Sequence, residues 1–270
     1  MVIYNESVIQ SKTCKCLRII EEKYGRQAIY IFDNSDKPIY DNKQNCINFE
    51  WNYYASEINK GLSKAYNIVI KDILLRTDDT RDVIVLLDDD TELRCDYYEA
   101  LLETMSNIEI DIAAPYIIDQ NGTIISPNNA GFLKNRFIKY KEDAYKLKKF
   151  NAINSCTAIR LNVFDNYSYD ESLFLDLVDS KFFEDQRKLN RKFGIIACEI
   201  FHNIQLNSES DSAKILNRYK IRVNDLKAYC RAMRINRLYG FCKAVIWSLL
   251  ELYKHNNLKL SISILKLWFK

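Results

Sequence analysis

The chain has 270 residues, of which 48% are hydrophobic, and it carries a net charge of +3 and eight cysteines. This much apolar surface can form a buried core and excludes a disordered chain, and the scattered cysteines lack the spacing of a disulfide framework. The longest apolar runs are shorter than the roughly 20 residues of a membrane-spanning helix, and no charged leader precedes an apolar segment at the N-terminus. We therefore expect a cytoplasmic protein with reduced thiols.

Three predicted strands alternate with two predicted helices in the first third of the chain. The strands are MVIY (1–4), QAIYIF (27–32) and VIVLL (83–87), and the helices cover 11–25 and 56–76. This spacing is typical of βαβ units, and runs of Val, Ile and Leu fit strands that are covered on both faces. The pattern predicts an α/β fold with a mostly parallel central sheet flanked by helices. Ligands bind beyond the carboxyl ends of such strands.

The rest of the chain continues with mixed elements and ends in helices. The predicted elements are a strand over 111–118, a turn or hairpin through 125–132, a strand leading into a helix over 154–164, a long helix over 174–194 that Gly194 ends, a strand over 195–202, and helices beyond about 212.

Three consecutive aspartates, Asp88, Asp89 and Asp90, follow the third predicted strand. Adjacent carboxylates repel one another, so the cluster needs water or a cation to compensate its charge. One interpretation is a solvated acidic turn that caps the next helix. The other is a site for a hard cation, in which carboxylates and substrate phosphates complete the coordination of Mg²⁺ or Mn²⁺. The position at the end of a buried strand favours the cation site.

Two further acids, Asp176 and Asp179, are three residues apart near the start of the helix predicted over 174–194. Acids at that position stabilise a helix through its dipole. A carboxylate there could instead serve as a general base that removes the proton of an attacking hydroxyl group.

The C-terminal residues differ in charge from the rest of the chain. Residues 214–270 contain 13 Lys and Arg against 2 Asp and Glu, whereas the remainder contains 26 against 34. A basic helical terminus suits an anionic surface, either membrane or nucleic acid. The segment 258–270 places Leu258, Ile262, Leu265 and Phe269 near one helical face, which indicates either a membrane interface or packing on the protein or on a second subunit.

The ordered motifs IYIFDNSD, NKGLSKAYN, LLDDDTEL, NSCTAIRLNVF, DESLFLDLVDSKFFEDQRK and IFHN resemble those of the family 2 glycosyltransferases. Within that family the chain is similar to the bacterial rhamnosyltransferase and galactofuranosyltransferase-like branch. The resemblance covers residues 1 to about 210. It implies a GT-A catalytic domain over 1–210, a basic helical extension over 211–270, and an inverting hexosyltransferase that acts in surface polysaccharide synthesis.

The resemblance also implies roles for individual residues. Asp179 matches the general base, although Lys181 replaces a Glu and Cys156 replaces a Gly of the family pattern. The implied metal ligands are Asp90 and His202. The positions that match nucleotide-sugar contacts are Tyr4 and Asp33 at the pyrimidine base, Asn59 and Gly61 at a helix start, and Asp88 and Asp89, of which one or the other contacts the ribose or supports the metal site from behind its ligands. On local grounds alone Asp33 is equally well explained as an Asx-turn residue, and Asn59 and Gly61 as an ordinary helix start.

The implied cofactor is Mn²⁺ or Mg²⁺, and the implied partners are a UDP- or dTDP-sugar donor and a saccharide acceptor that is lipid-linked. Peripheral contact with the cytoplasmic membrane through residues 214–270 would suit such an acceptor, and a homodimer is the alternative use of that surface. Two rival functions are a nucleotidyltransferase or other phosphoryl-transfer enzyme, which also clusters aspartates at strand ends, and a nucleic-acid-binding module. No recognised nucleic-acid motif supports the second rival.

Overall fold

Eleven strands and eight α-helices make up the part of the chain that the structure describes. The structure is a computed structural model that describes residues 1–37, 40–77, 79, 81–201 and 211–270. The strands are β1 (Val2–Ile3), β2 (Tyr30–Asp33), β3 (Asn52–Ala55), β4 (Val83–Leu86), β5 (Ile112–Ile118), β6 (Ile124–Ser126), β7 (Asn128–Asn129), β8 (Arg136–Phe137), β9 (Phe150–Asn151), β10 (Thr157–Arg160) and β11 (Phe193–Phe201). The helices are α1 (Lys12–Tyr24), α2 (Asn42–Asn48), α3 (Leu62–Arg76), α4 (Cys95–Ser106), α5 (Val178–Lys188), α6 (Ser212–Ala232), α7 (Arg237–His255) and α8 (Leu258–Leu267).

Two sheets carry the strands of the α/β layer. β1, β2 and β3 form a parallel sheet in that order. The second sheet has the order β11-β5-β10-β4; β11 and β5 are parallel, and β10 is antiparallel to both of its neighbours. β6 pairs with β5, and β7 forms a small sheet with β8 and β9. The predicted α/β class with parallel strands and flanking helices is confirmed.

β5 is buried along its whole length, at all seven of its residues. Its apolar run shows no alternation, as expected for a strand that is covered on both faces. Pro115 lies within it and has no N–H to donate. The ladder to β11 shifts register next to this proline, between Ile196 and Glu199. The irregularity in β11 at this point thus accommodates the absence of a backbone N–H group at Pro115.

The helix predicted over 174–194 is wrong at both ends. α5 covers only Val178–Lys188, and the left-handed backbone of Asn190 (φ 56°) follows its end. Gly194 lies within β11, where a Cβ atom would be 2.8 Å from the side chain of Ile110. This glycine therefore serves close packing on the sheet and does not cap the helix.

The segment between the second predicted strand and the helix predicted from 56 contains two elements that the sequence pattern did not indicate. These are α2 and β3, and the latter pairs in parallel with β2. Their sequences, NKQNCIN and NYYA, are too short and too polar for a clear periodic signal. The helix that follows begins at Leu62, six residues later than predicted.

α6, α7 and α8 pack against one another at the C-terminal end. Trp268 is buried in this bundle and lies on Gly240, where a Cβ atom would be only 2.3 Å from the indole ring. The two acids of residues 214–270, Asp225 and Glu251, are both buried. None of the described helices is both long and apolar enough to cross a membrane.

A cavity of about 480 Å³ lies between the two sheets, and it is lined mainly by apolar side chains of β1, β4, α1, α3 and α4. None of the described residues predicted to contact nucleotide, metal or acceptor lines it. The polar strand ends described below are therefore the candidate site.

Candidate active site

The turn that carries the three aspartates is held by the start of α1. The Ser11 hydroxyl donates to the carbonyl of Asp89 (2.7 Å), and the Thr13 hydroxyl donates to the carbonyl of Asp88 (2.6 Å). The backbone N–H of Thr91 donates back to the Thr13 hydroxyl oxygen (2.9 Å). These bonds use the backbone carbonyl groups of Asp88 and Asp89 and fix the turn at the end of β4.

A second loop, which leads into β10, supports the same turn. The Ser155 hydroxyl accepts from the Asp88 N–H at 3.4 Å and lies 3.1 Å from the Thr91 hydroxyl. Cys156 follows with a left-handed backbone (φ 62°), its N–H bonded to Leu86 O (2.7 Å), and its side chain packed in the core. A positive φ is the conformation that glycine adopts most readily. The backbone thus has the geometry that suits glycine, although the residue is cysteine.

The carboxylate cluster has the electrostatics of a cation site. Burial, and then the charges of Asp90 and Asp88, raise the pKa of Asp89 from its ordinary 3.8 to about 6. Asp90 is exposed at the end of the turn. A nearby divalent cation would favour the ionised form of all three groups.

Among the described residues, no three His, Cys, Asp or Glu side chains are grouped closely enough to hold a metal ion by themselves. Mg²⁺ and Mn²⁺ at nucleotide sites typically take one or two carboxylates and complete their coordination with phosphate and water oxygens. Hard oxygen donors at residues 88–90 fit that chemistry. His202, the other predicted ligand, lies outside the described residues.

Asp179 is in the first turn of α5. Burial raises its pKa from 3.8 to about 6, the charges of Asp88 and Asp176 add to the increase, and hydrogen bonds from backbone N–H groups oppose it. Burial and the charges of Asp88 and Asp179 together raise the pKa of Tyr66 well above its usual value. The fold therefore brings Asp179 and Asp88, 91 positions apart in the chain, within electrostatic range of each other.

The structure separates Asp179 from Asp176, which the sequence pattern placed on one helical face. Asp176 precedes α5 and forms a two-pronged ion pair with Arg218 of α6. Such a two-pronged pairing holds the carboxylate in place. Lys181, which departs from the family pattern, pairs with Asp185 one turn further along α5.

Asp33, the predicted contact to the pyrimidine base, is 2% exposed at the end of β2. Its carboxylate accepts from Ser35 N (3.2 Å), Asn42 Nδ2 (2.9 Å) and the Tyr53 hydroxyl (3.1 Å). The bond to Ser35 N is the Asx-turn contact that was the alternative interpretation. A carboxylate has about four lone-pair positions, so one remains for a ligand.

Tyr4 and Asn59, two of the predicted nucleotide contacts, both donate hydrogen bonds to Asp36, which was not predicted to belong to the site. Asp36 accepts from the Tyr4 hydroxyl (3.3 Å) and from the Asn59 N–H (2.9 Å). The Asn59 side chain in turn accepts from Gly61 N (2.9 Å). The only signal for Asp36 in the sequence is its place as the second aspartate of DNSD, to which no role was assigned. The signal for Ser11, Thr13 and Ser155 is weaker, because hydroxyl groups that bond to a distant turn follow no local pattern.

Gly61 (φ 77°) lies directly against Phe174, and a Cβ atom on it would be 2.6 Å from the Phe174 carbonyl oxygen. That oxygen accepts from Leu62 N at the start of α3 (2.6 Å). Glycine is thus required here because of the contact with Phe174, which belongs to the segment that leads to Asp179.

An α/β layer whose strands end at clustered carboxylates, with a further carboxylate delivered by a later helix, defines the architecture of a nucleotide-sugar transferase of the GT-A type. The model of the family described as "Glycosyl transferase family 2" matches residues 1–168. The chain belongs to this family. A search of the curated proteins found no significant match.

Two solved structures have a similar fold. The structure of GalNAc-T7 with UDP, GalNAc and Mn²⁺ matches with a TM-score of 0.56 and 15% identity over 82% of this chain, which spans only 47% of that chain. The structure of S. aureus TarS residues 1–349 matches with a TM-score of 0.50 and 11% identity, over 99% of this chain and 88% of that one. At these identities the likeness shows the GT-A fold alone.

Proposed function

We propose that this chain is a divalent-metal-dependent, inverting glycosyltransferase that moves a hexose or deoxyhexose from a UDP- or dTDP-sugar to a saccharide acceptor. The acceptor is lipid-linked and belongs to a bacterial surface polysaccharide, and the enzyme belongs to the rhamnosyltransferase and galactofuranosyltransferase-like branch. Residues 1–210 form the GT-A catalytic domain, and residues 211–270 form a helical extension.

The observation that carries this proposal is that Asp179 lies within electrostatic range of Asp88, the first of the three aspartates. A transferase needs a place for the donor diphosphate and, within reach of the sugar, a base for the acceptor. The charge of Asp88 contributes to the raised pKa of Asp179, which supports such a shared site. A phosphoryl-transfer enzyme would explain the aspartate cluster but not the separate carboxylate of Asp179 with its raised pKa.

Asp90 and His202 would hold Mn²⁺ or Mg²⁺, with Asp88 and Asp89 beside them at the ribose. The cation would offset the negative charge that grows on the leaving diphosphate. The similar GalNAc-T7 structure contains UDP and Mn²⁺, which supports this assignment. Asp33 and Tyr4 would contact the pyrimidine base, since the imide N–H of uracil or thymine suits the remaining lone pair of Asp33. Asn59 and Gly61 would lie against the nucleotide from the start of α3.

Asp179 removes the proton from the acceptor hydroxyl group as its oxygen forms a bond to the anomeric carbon of the donor. The bond from that carbon to the diphosphate oxygen breaks on the opposite face, and the nucleoside diphosphate leaves with the electron pair. One displacement inverts the anomeric configuration. A carboxyl pKa near 6 suits this role, because the group is ionised at neutral pH and retains more affinity for a proton than an ordinary aspartate.

The helical extension would bind the anionic cytoplasmic surface of the membrane. Its surface is basic because both acids of residues 214–270 are buried, whereas Lys220, Arg231, Lys254, Lys259, Lys266 and Lys270 are exposed. Apolar side chains are exposed beside them, at Ile246, Leu249, Leu250 and Tyr253 of α7 and at Leu258, Ile262 and Phe269 near α8. Exposed apolar groups combined with positive charge suit a layer of anionic lipid.

The test is a screen of UDP- and dTDP-sugars with Mn²⁺, in which release of nucleoside diphosphate is measured with and without saccharide acceptors. We expect turnover that chelation abolishes. Asp90→Ala should lose metal-dependent binding of the nucleoside diphosphate, whereas Glu92→Ala, which removes an exposed acid two residues away, should retain it. Turnover of nucleoside triphosphate or nucleic acid, and of no nucleotide sugar, would contradict the proposal. Binding by Asp90→Ala that still depends on Mn²⁺ would contradict the metal assignment.

A further inference from the structure

Residues 174–177, the segment that leads into the helix of Asp179, are held by a buried carboxylate from α6. Asp225 is 2% exposed, and it accepts hydrogen bonds from three consecutive backbone N–H groups, those of Phe174 (2.8 Å), Leu175 (2.8 Å) and Asp176 (2.7 Å). Charge-assisted bonds of this kind are among the stronger ones in proteins. The segment is separated from Asp225 by about 50 residues, so this contact is purely tertiary.

Side chains reinforce the same contact. Asp176 forms the ion pair with Arg218, and Arg222 lies 3.7 Å from its carboxylate. The Arg222 guanidinium also lies over the Trp247 ring at 4.4 Å, which ties it to α7. Leu177 packs against the cluster of apolar residues inside the helical bundle. The backbone of Leu177 is left-handed (φ 64°), a conformation that is unfavourable for a non-glycine residue and persists only where its surroundings impose it.

The opposite side of the segment contacts the catalytic domain. The carbonyl of Phe174 accepts from the N–H of Leu62, and its ring lies against Gly61. The segment is thus held between α6 and the start of α3. Asp179 follows two residues after Leu177, in the first helical turn, so the position of the segment determines where the carboxylate lies.

We propose that α6 is a positioning element of the active site, in which Asp225 and Arg218 hold residues 174–177 and so set the position of the Asp179 carboxylate against the acceptor. This inference rests on the proposed function, because it assigns Asp225 and Arg218 to the placement of its general base. It gives the helical extension a role in catalysis that is independent of any membrane contact.

Two variants test the inference. Asp225→Asn is nearly isosteric but replaces one acceptor oxygen with an NH₂ group that faces backbone donors. Arg218→Met removes the ion pair with Asp176 from a half-exposed position, so it should fold even if the first variant does not. The matched control is Lys220→Met, which removes the same charge from an exposed position on the same helix. Arg218→Lys, which keeps the charge, tests rescue.

Three quantities are measured: kcat for sugar transfer, the dissociation constant of the nucleoside diphosphate, and hydrogen exchange of the amides of residues 174–176. We expect Asp225→Asn to lower kcat about 10- to 100-fold, to leave the dissociation constant within about twofold, and to speed the exchange of those amides. Arg218→Met should show a smaller loss that Arg218→Lys partly restores. Lys220→Met should behave as the wild type.

A general loss of folding would lower kcat, nucleotide binding and the unfolding temperature together, and that parallel loss would overturn the inference. It would equally be overturned if the wild type transfers sugar and both Asp225→Asn and Arg218→Met keep its kcat; the proposed function would then stand. If the wild type turns over no nucleotide sugar, the proposed function fails and the positioning role fails with it.

Discussion

Asp176 and Asp179 are three residues apart, yet their surroundings give them opposite chemical characters. Arg218 pairs with Asp176, whereas desolvation, with a smaller contribution from the charge of Asp88, raises the pKa of Asp179 to about 6. The amino-acid type is the same in both positions. The difference comes from the desolvation of Asp179 and from the pairing of Asp176 with Arg218 on α6, which lies far away in the chain.

The first prediction concerns Asp179→Asn. Transfer should fall by about 10²- to 10⁴-fold, because the acceptor loses its general base, while nucleotide binding stays close to that of the wild type. The variant should also be more stable at pH 7, by roughly 1–3 kcal/mol, since it removes a charge that burial disfavours. Transfer kinetics, calorimetric binding and denaturant unfolding measure the three effects. A large loss of donor affinity would make Asp179 a binding residue instead.

The second prediction concerns pH. The raised pKa means that the folded protein retains the Asp179 proton up to about pH 6, whereas the unfolded chain releases it near 3.8. Ionisation therefore disfavours the folded state above that range, and the stability gain of Asp179→Asn should be present at pH 7 and absent near pH 4. Activity follows the ionised form, so kcat/KM of the wild type should decline as the pH falls through about 6. An unchanged kcat/KM down to pH 4.5 would argue against Asp179 as the base.

Cys156 shows how residue identity and backbone geometry can separate. Because Cys156 replaces a glycine of the family pattern, the sequence left in doubt whether the backbone can approach an acceptor closely at this position. The structure has a left-handed backbone there and buries the side chain completely. The cysteine side chain thus fits on the side of the loop that faces the core. No sequence pattern reveals this placement.

Among the elements, the start of α3 depends most strongly on a distant partner. Gly61 precedes this helix and lies against Phe174, which in turn belongs to the segment that leads to α5. Two helices that carry predicted site residues are therefore coupled at their N-terminal ends through one glycine.

The third prediction tests this coupling with Gly61→Ala. The new Cβ atom would be 2.6 Å from the Phe174 carbonyl oxygen, so we expect a loss of about 2–4 kcal/mol in the free energy of unfolding and reduced transfer. Gly122→Ala is the matched control, because Gly122 has the same backbone angle (φ 76°) with nothing within 4 Å. It should lose only about 1 kcal/mol. Equal losses in denaturant unfolding would show that the Phe174 contact is unimportant.

Helices and strands with regular apolar spacing were predicted well from the sequence, and those shaped by tertiary contacts were not. The helix predicted over 11–25 is observed as Lys12–Tyr24, and the strand over 83–87 as Val83–Leu86. The helix predicted from residue 174 begins only at Val178, because Asp225 binds three of the preceding N–H groups. A helical pattern in the sequence contains no information about that competing acceptor.

At the scale of the whole molecule, charge divides the chain into an acidic catalytic part and a basic bundle. The acids of residues 214–270 are used inside the protein: Asp225 binds the segment before α5, and Glu251 accepts from the Tyr219 hydroxyl (2.9 Å). The outer surface of the bundle is consequently more uniformly positive than its composition indicates.

The fourth prediction is that the protein sediments with vesicles of anionic lipid and not with neutral vesicles, and that salt weakens the binding. Replacing Leu249 and Tyr253 of α7 with Gln should reduce binding at least several-fold. Leu75→Gln is the control, because Leu75 is a similarly exposed leucine (79%) on α3 of the catalytic domain. A concentration-dependent dimer that the α7 substitutions dissolve, without vesicle binding, would assign this surface to a second subunit.

The sequence by itself determined the α/β class, the family and the carboxylates at the strand ends, because apolar periodicity and motif order are local properties of a chain. Only the tertiary structure decided which of two neighbouring acids pairs with Arg218, where α5 begins and why residue 61 is glycine. Each of these features depends on a contact with a residue that is about 40 to more than 100 positions away in the chain. The spacing of neighbouring residues in the sequence does not reveal such a contact.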